Sequence, residues 1–381
     1  MLILRSIFLV CLLAFLLKIF CFSPLSIFPE QIQFPPPPSS PLLLSTNNYL
    51  QKVSKVGEGF LDNPEDVCID KEGMIYTATR DGWIKRVHGN GSVEDWKMVG
   101  GQALLGIAMS ADGSVLVCDV DKGLLKVGHD SIEVLTSLVN DSKISFADDV
   151  IEASDGSMYF SDASSKFGLH DWYLDVLEAK PSGRLLKYDP LTKETTIVLD
   201  GLAFANGVAL SQDQDFLLIC ESWKFRCLKH WLKGEDRGKT EIFIENLPGS
   251  PDNINLAPDG SFWIALLELR TNTWLDFVHT SKLAKHVVAS FPKLVDHISG
   301  AKKKATVVNV GSNGEIIRKL DDPDGKVMSF VTNALEFEGH LYLGSLNSNF
   351  IGKLQLKQFN QPLEEERKNY SIRSSPWVLQ G

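Results

Sequence analysis

Six stretches of the chain repeat one short pattern, and most of them carry a carboxylate or carboxamide at the same place. Pro64-Glu65-Asp66-Val67, Ala147-Asp148-Asp149-Val150, Ala205-Asn206-Gly207-Val208 and Pro251-Asp252-Asn253-Ile254 each open a short apolar run that ends in a glycine-centred turn. Leu105-Gly106-Ile107 and Thr332-Asn333-Ala334 hold the same place in two further units. Units of roughly 40 residues with about four short strands each are the signature of propeller blades. The expected fold is therefore an all-β, six-bladed β-propeller. If the blades close into a ring, their first strands line the channel and the repeated positions converge at one mouth. Oxygen-bearing side chains gathered there from several blades suit a hard cation such as Ca²⁺.

Strands are expected in sequence within each unit, marked by β-rich runs and glycine turns. Unit one has Val67–Ile69, Met74–Thr79 and Trp83–Val87; unit two has Ile107–Met109, Val115–Asp119 and Leu124–Val127. Unit three has Val150–Glu152, Met158–Asp162, Gly183–Asp189 and Thr195–Leu199; unit four has Val208–Leu210, Phe216–Glu221, Cys227–Trp231 and Thr240–Glu245. Unit five has Ile254–Leu256, Phe262–Leu266, Thr306–Val310 and Ile316–Leu320, and unit six has Ala334–Phe337, Leu341–Ser345 and Ile351–Leu354. Two insertions interrupt the repeat. In His170–Lys180, Trp172, Val176 and Ala179 share one helical face, with Tyr173 and Leu177 alongside. Leu267–Lys304 carries Trp274, Phe277, Val278, Leu283, Val287, Val288, Phe291 and Leu294 at helical spacing. Both are read as rising over one face of the disc as a lid or apolar wall, with Trp172, Tyr173, Trp274 and Phe277 expected to line a substrate cavity.

The chain divides into a signal peptide or signal anchor at 1–22, a Pro/Ser-rich linker at 23–48, the propeller at 49–360 and a tail at 361–381. Arg5 followed by an apolar run to Leu17 has the length of a signal h-region, while Lys18 leaves an uncleaved anchor open. Pro35–Pro38 and their flanks read as a stiff, exposed spacer. Sequons at Asn90, Asn140 and Asn369 agree with a secretory route, and Asn90 sits in a clear turn. Cys68, Cys118, Cys220 and Cys227 lie in apolar runs, which favours buried thiols; Cys220 and Cys227 flank a turn across which a disulfide is the alternative. A net charge of −10 argues against nucleic acid and against an anionic membrane surface as the main partner. The expected partner is a small molecule, with membrane association only through an uncleaved leader, and the expected state is a monomer.

The runs Met158-Tyr-Phe-Ser-Asp-Ala-Ser-Ser-Lys166, Gly183-Arg-Leu-Leu-Lys-Tyr-Asp-Pro190, Asn206-Gly-Val-Ala-Leu-Ser211 and Pro251-Asp-Asn-Ile254 occur in order along the chain. In them the sequence resembles the plant strictosidine-synthase-like family and the related adipocyte plasma membrane-associated protein, from about Val53 to Leu356. More distantly it is similar to the paraoxonases and gluconolactonases, six-bladed propellers with calcium on the channel axis. That resemblance implies a catalytic calcium held by Glu65, Asn206, Asp252 and Asn253, with Asp148 where an Asn is usual. It implies a second, structural calcium at Asp66, the Ile107 carbonyl and Asp149. Against the synthase itself, Thr332 stands where the family's catalytic Glu is expected, and Leu105 stands where paraoxonases place a His. A hydroxyl cannot take over a carboxylate's proton transfers at neutral pH.

The resemblance implies an endomembrane protein of the endoplasmic reticulum or vacuole lumen. The retained residues imply a metal-dependent hydrolase of a small apolar ester or lactone, with Asp252 or Asp148 as the catalytic carboxylate that activates water. A specialised-metabolism enzyme of condensation or isomerisation and a non-catalytic small-molecule binder are the alternatives. His170, His279, His286 and His297 lie in or beside the insertions, within reach of such a cavity.

Overall fold

The computed structural model describes residues 2–36, 40–101, 104–268, 273–291 and 304–359. Among these, six four-stranded antiparallel sheets form in sequence around a channel, giving a six-bladed β-propeller. Blades 1 to 5 are each built from consecutive strands, beginning at Val67, Leu104, Ala147, Ala205 and Ser250. Blade 6 takes three strands, from Val331 to Gln355, and borrows its outermost strand from the other end of the chain. Ser54–Val56 pairs antiparallel with Ile351–Lys353, so the ring is closed by hydrogen bonds between its two termini. Each blade's first strand still ends its own sheet, a short edge protected inside the ring.

Two outer strands, Val93–Met98 and Ile132–Thr136, complete blades 1 and 2. Their residues are mostly exposed, so they lack the apolar alternation that marks a half-buried strand. The inner strands differ in the opposite way. Five of them start three or four residues before their apolar run because a register shift intervenes: between Leu104 and Ile107, Ala147 and Val150, Ala205 and Val208, Pro251 and Ile254, and Val331 and Asn333. A bulge kinks its strand and re-aims side chains, and here it encloses the positions that the repeat singled out. Glycine allows the blades to close up at these bulges. A Cβ on Gly106 would lie 2.5 Å from the Asp148 carbonyl oxygen, and one on Gly207 would lie 2.5 Å from the Ile254 nitrogen.

Between the blades, apolar side chains from neighbouring sheets interlock; Leu116, Cys118 and Leu124 of blade 2, for example, pack with Val150, Phe160 and Leu186 of blade 3. Cys220 and Cys227 sit directly opposite each other across a hairpin and are joined as a disulfide. The alternative to buried thiols therefore holds for this pair, because the register puts the two Cα atoms only 4.0 Å apart. Cys68 and Cys118 are buried free thiols.

The insertions are helical. Trp172–Glu178 turns Trp172 and Val176 onto one apolar cluster and Tyr173 and Leu177 onto another, dividing the helix as its periodicity requires. Thr273–Thr280 and Lys282–Ser290 form a helical pair in the second insertion. Phe277 does not face a cavity: it is 51% exposed, because the helix turns its neighbours Val278 and His279 inward. The side chain of Trp274, together with Leu294, His297, Asn369 and the tail 361–381, lies outside the described residues.

The N-terminal segment forms one helix, Leu2–Cys21. Its uncharged stretch is bounded by Arg5 and Lys18, and among the described residues no helix is long and apolar enough to cross a membrane. The stretch after it is not an exposed spacer up to residue 36. Leu25 and Ile32 are buried, and the backbone is bound by the insertion helices. Apolar side chains in the stretch decide this, outweighing a composition that reads as linker.

Candidate functional site

The bulges carry Glu65, Asp148, Asn206, Asp252 and Asn253 into one buried layer at the mouth of the channel. All five are 5% exposed or less. Asn253 Nδ2 donates to Glu65 Oε1 at 3.0 Å, linking blade 5 to blade 1, and the Asn206 amide bonds the Asp252 carboxylate. Burial and then the Asp252 charge push the Glu65 carboxyl well above its usual range. Burial, followed by Glu65 and Asp252, does the same to Asp148. Asp252 is pushed up to about 8, again chiefly by burial and against the Asn206 hydrogen bond. Three carboxylates thus repel one another in a space that water does not screen.

Three oxygens in this layer accept no hydrogen bond: Glu65 Oε2, Asn206 Oδ1 and Asn253 Oδ1. They come from blades 1, 4 and 5, and each is a hard donor. A bare buried acceptor costs about 1–3 kcal/mol, so three in one layer ask for a partner. Among the described residues no three His, Cys, Asp or Glu side chains form a metal-binding group. The donor set here is different, since two of its bare oxygens belong to asparagines. Carboxylate and carboxamide oxygens are the ligands that Ca²⁺ takes. The residues fit that ion.

The second set behaves otherwise. Asp66 Oδ1 accepts from Val67 N at 2.6 Å and Oδ2 from Ile107 N at 2.8 Å. Asp149 repeats this two blades round the ring, with Val150 N at 2.7 Å and Val208 N at 2.7 Å. Each carboxylate clamps its own blade to the next, and none of the four oxygens is bare. Ile107 meets Asp66 through its N–H. With all four oxygens taken by backbone N–H groups, these three residues do not fit a second metal. Burial raises Asp66 well above its usual range and Asp149 to about 7.

Thr332 is fully buried, and its hydroxyl donates to the Glu65 carbonyl at 2.5 Å. It fastens blade 6 to blade 1 beside the site. Leu105 belongs to an apolar rim above the acidic layer, with Phe146, Phe204, Trp223 and Phe225, and Trp172 packs against the same cluster. Tyr173 packs instead with Leu25, Phe167 and Leu174. Beyond the acidic layer the channel encloses about 320 Å³, lined by Asp66, Ile107, Asp149, Val208 and Asn255 among others.

Two buried cations, one beside the acidic layer and one in the second insertion, were not legible in the sequence. Arg80 lies in the electrostatic reach of Glu65, Asp148 and Asp62, which oppose the downward pull of burial on its guanidinium. In the sequence it is one residue of a Thr-Arg-Asp-Gly turn, and nothing marks it. Lys285 is buried in the second insertion and donates to the Glu30 carbonyl. Of the histidines, His170 is exposed, while His279 and His286 are buried under residues 23–36.

The family profile described as strictosidine synthase matches residues 148–235, and that described as strictosidine synthase-like, N-terminal, matches residues 44–87. The chain is 37% identical to protein strictosidine synthase-like 4 of Arabidopsis thaliana over 93% of this chain and 95% of the relative. It is 33% identical to the adipocyte plasma membrane-associated protein of Rattus norvegicus over 86% of this chain and 93% of that one. Among solved structures, a gluconolactonase from Xanthomonas campestris superposes with a TM-score of 0.57 at 13% identity, covering 86% of this chain and 96% of its own. A calcium-binding protein, regucalcin, from Agrobacterium tumefaciens gives 0.50 at 13% identity, covering 79% and 90%. At such identities these two attest the fold alone. The sequence relatives extend over nearly the whole chain, and the protein belongs to the strictosidine synthase-like family.

Proposed function

We propose that the protein is a Ca²⁺-dependent hydrolase of a small apolar ester or lactone, working in the lumen of the endomembrane system. The observation that carries the reading is the set of three bare oxygens, Glu65 Oε2, Asn206 Oδ1 and Asn253 Oδ1, in a layer with Asp148 and Asp252. Those five residues would hold the ion. When bound, Ca²⁺ supplies a positive charge that polarises a carbonyl and stabilises the developing oxyanion. The apolar rim formed by Leu105, Phe146, Phe204 and Trp223 would hold the substrate's hydrocarbon and exclude water from it. Asp252, or Asp148 beside it, accepts a proton from the attacking water, whose oxygen bonds to the acyl carbon. The C–O bond then breaks, and the leaving oxygen takes a proton. The gluconolactonase and regucalcin named above share this architecture, which supports the direction of the reading.

Synthesis of strictosidine is not expected. The Thr332 hydroxyl is already committed to the Glu65 carbonyl and has no carboxylate chemistry to offer. The test is hydrolysis of aryl esters and lactones of graded size by purified protein, with Ca²⁺ or with chelator. Turnover that needs Ca²⁺ and falls at least a hundredfold in Asp252→Ala with the fold retained is the expected result. Turnover unaffected by chelator or by Asp252→Ala would end the proposal.

A further inference from the structure

Residues 23–36 lie across the apolar rim of the mouth. Ile32 is buried in the cluster that holds Leu105, Phe146 and Phe204. Phe146 and Phe204 each stand two residues before a site residue, Asp148 and Asn206, so the cluster that Ile32 joins borders the acidic layer. Phe34 packs against Phe225 at 5.8 Å and edge-on to His279 at 5.5 Å. This stretch joins no sheet. Its polar contacts reach the insertion helices: Glu30 N donates to the Glu178 carbonyl at 2.8 Å, Gln31 Nε2 to the Thr280 carbonyl at 2.9 Å, and Lys285 Nζ to the Glu30 carbonyl. His286 Nδ1 and Ser23 Oγ lie 2.8 Å apart.

We infer that residues 23–36 are an internal occupant of the substrate cavity, a strap that competes with an apolar ligand for the rim and must lift before one binds. The inference rests on the reading of the mouth as a small-molecule site, but not on hydrolysis there. Three physical points carry it. The strap fills the rim with side chains of the kind an apolar substrate would bring. Its attachment is a handful of hydrogen bonds with no strand ladder, the sort of element that opens at a small free-energy cost. Its closed state also buries an amine: burial pushes Lys285 down to about 8, and its Nζ donates to the strap's own Glu30 carbonyl. Lifting the strap returns that amine to water, which offsets part of the lost contact.

A ligand that binds only the open form sees its affinity reduced by the open fraction. A strap closed about nine-tenths of the time weakens binding about tenfold. The experiment places a specific protease site immediately before the exposed Ser40 in the full chain. Binding of an apolar fluorescent naphthalene-sulfonate probe is then measured before and after cutting, alongside Ile32→Asp and the milder Ile32→Ala in uncut protein. Melting curves confirm the fold. The expected result is about tenfold tighter probe binding after cutting and in Ile32→Asp, a smaller gain in Ile32→Ala, and reversal by added synthetic peptide of residues 23–36. Unchanged or weaker binding in the cut protein and in whichever Ile32 variant stays folded would overturn the inference and make the strap a fixed wall. Tighter probe binding with no ester or lactone hydrolysed in any form would leave the strap standing and remove the hydrolase reading alone.

Discussion

Removing Ca²⁺ should cost this protein a measurable part of its stability, and the size of the effect can be worked from the acidic layer. Without an ion, Glu65 Oε2, Asn206 Oδ1 and Asn253 Oδ1 are buried and bare. At about 1–3 kcal/mol each, they burden the native state by roughly 3–9 kcal/mol, before counting repulsion among Glu65, Asp148 and Asp252. An ion that binds only the folded ring stabilises it by about 2.7 kcal/mol at a hundredfold excess over its dissociation constant. With about 2.1 cal/mol/K of unfolding entropy per residue over roughly 310 ordered residues, that becomes a shift of about 4 °C. The assay is a melting curve in chelator, then with excess Ca²⁺, then with excess Mg²⁺. Ca²⁺ should restore the transition better than Mg²⁺, because its coordination is larger and more flexible. Asn253→Ala removes one bare oxygen and the bond to Glu65, and should shrink the shift. Asp112→Ala, in an exposed turn, should leave it intact. Identical wild-type melting in chelator and Ca²⁺, with no metal found by elemental analysis, would refute the argument and leave the layer a set of blade-to-blade polar contacts.

Three further outcomes follow from the fold. Replacing Cys220 and Cys227 with Ala should lower stability by about 2 kcal/mol, since the bond closes a short loop of sequence separation 7 inside blade 4, and a urea titration will read the change. Purified protein should not condense tryptamine with secologanin, and product detected by mass spectrometry would show that a carboxylate other than one at position 332 does the synthase's work. Expressed in plant or insect cells, the protein should carry a glycan at Asn90, exposed in its turn, and a gel shift on deglycosylation that disappears in Asn90→Gln will report it.

The inner blades and the positions of the acidic residues were legible in the sequence because both are local and repeated. Each inner strand is apolar on a short period, and each ends at a glycine turn. The strands Trp83–Val87, Val115–Asp119 and Gly183–Asp189 form where their side-chain pattern places them. Six equivalent positions in one ring must meet at its axis whatever the remaining residues are, so the repeat brought Glu65, Asp148, Asn206 and Asp252 together, and the family resemblance added Asn253 to them. Tertiary structure decided what depends on distant partners. Ser54–Val56 closes the ring by pairing with Ile351–Lys353, a contact of high sequence separation that three residues cannot announce. Val93–Met98 and Ile132–Thr136 are strands only because a neighbour offers an edge to exposed residues. The bulges carry no mark in the sequence, because a register jump exists only once two strands pair. Phe277 has the composition of a wall residue, but the packing of Val278 and His279 turns it to solvent. Residues 23–36 read as spacer because proline and serine dominate their surroundings. Ile32 and Phe34 bind the mouth only where blades 2, 3 and 4 assemble an apolar rim to receive them. Local pattern fixes a strand's face, whereas the partner of an irregular or exposed segment is set by surfaces that exist only after the ring has closed.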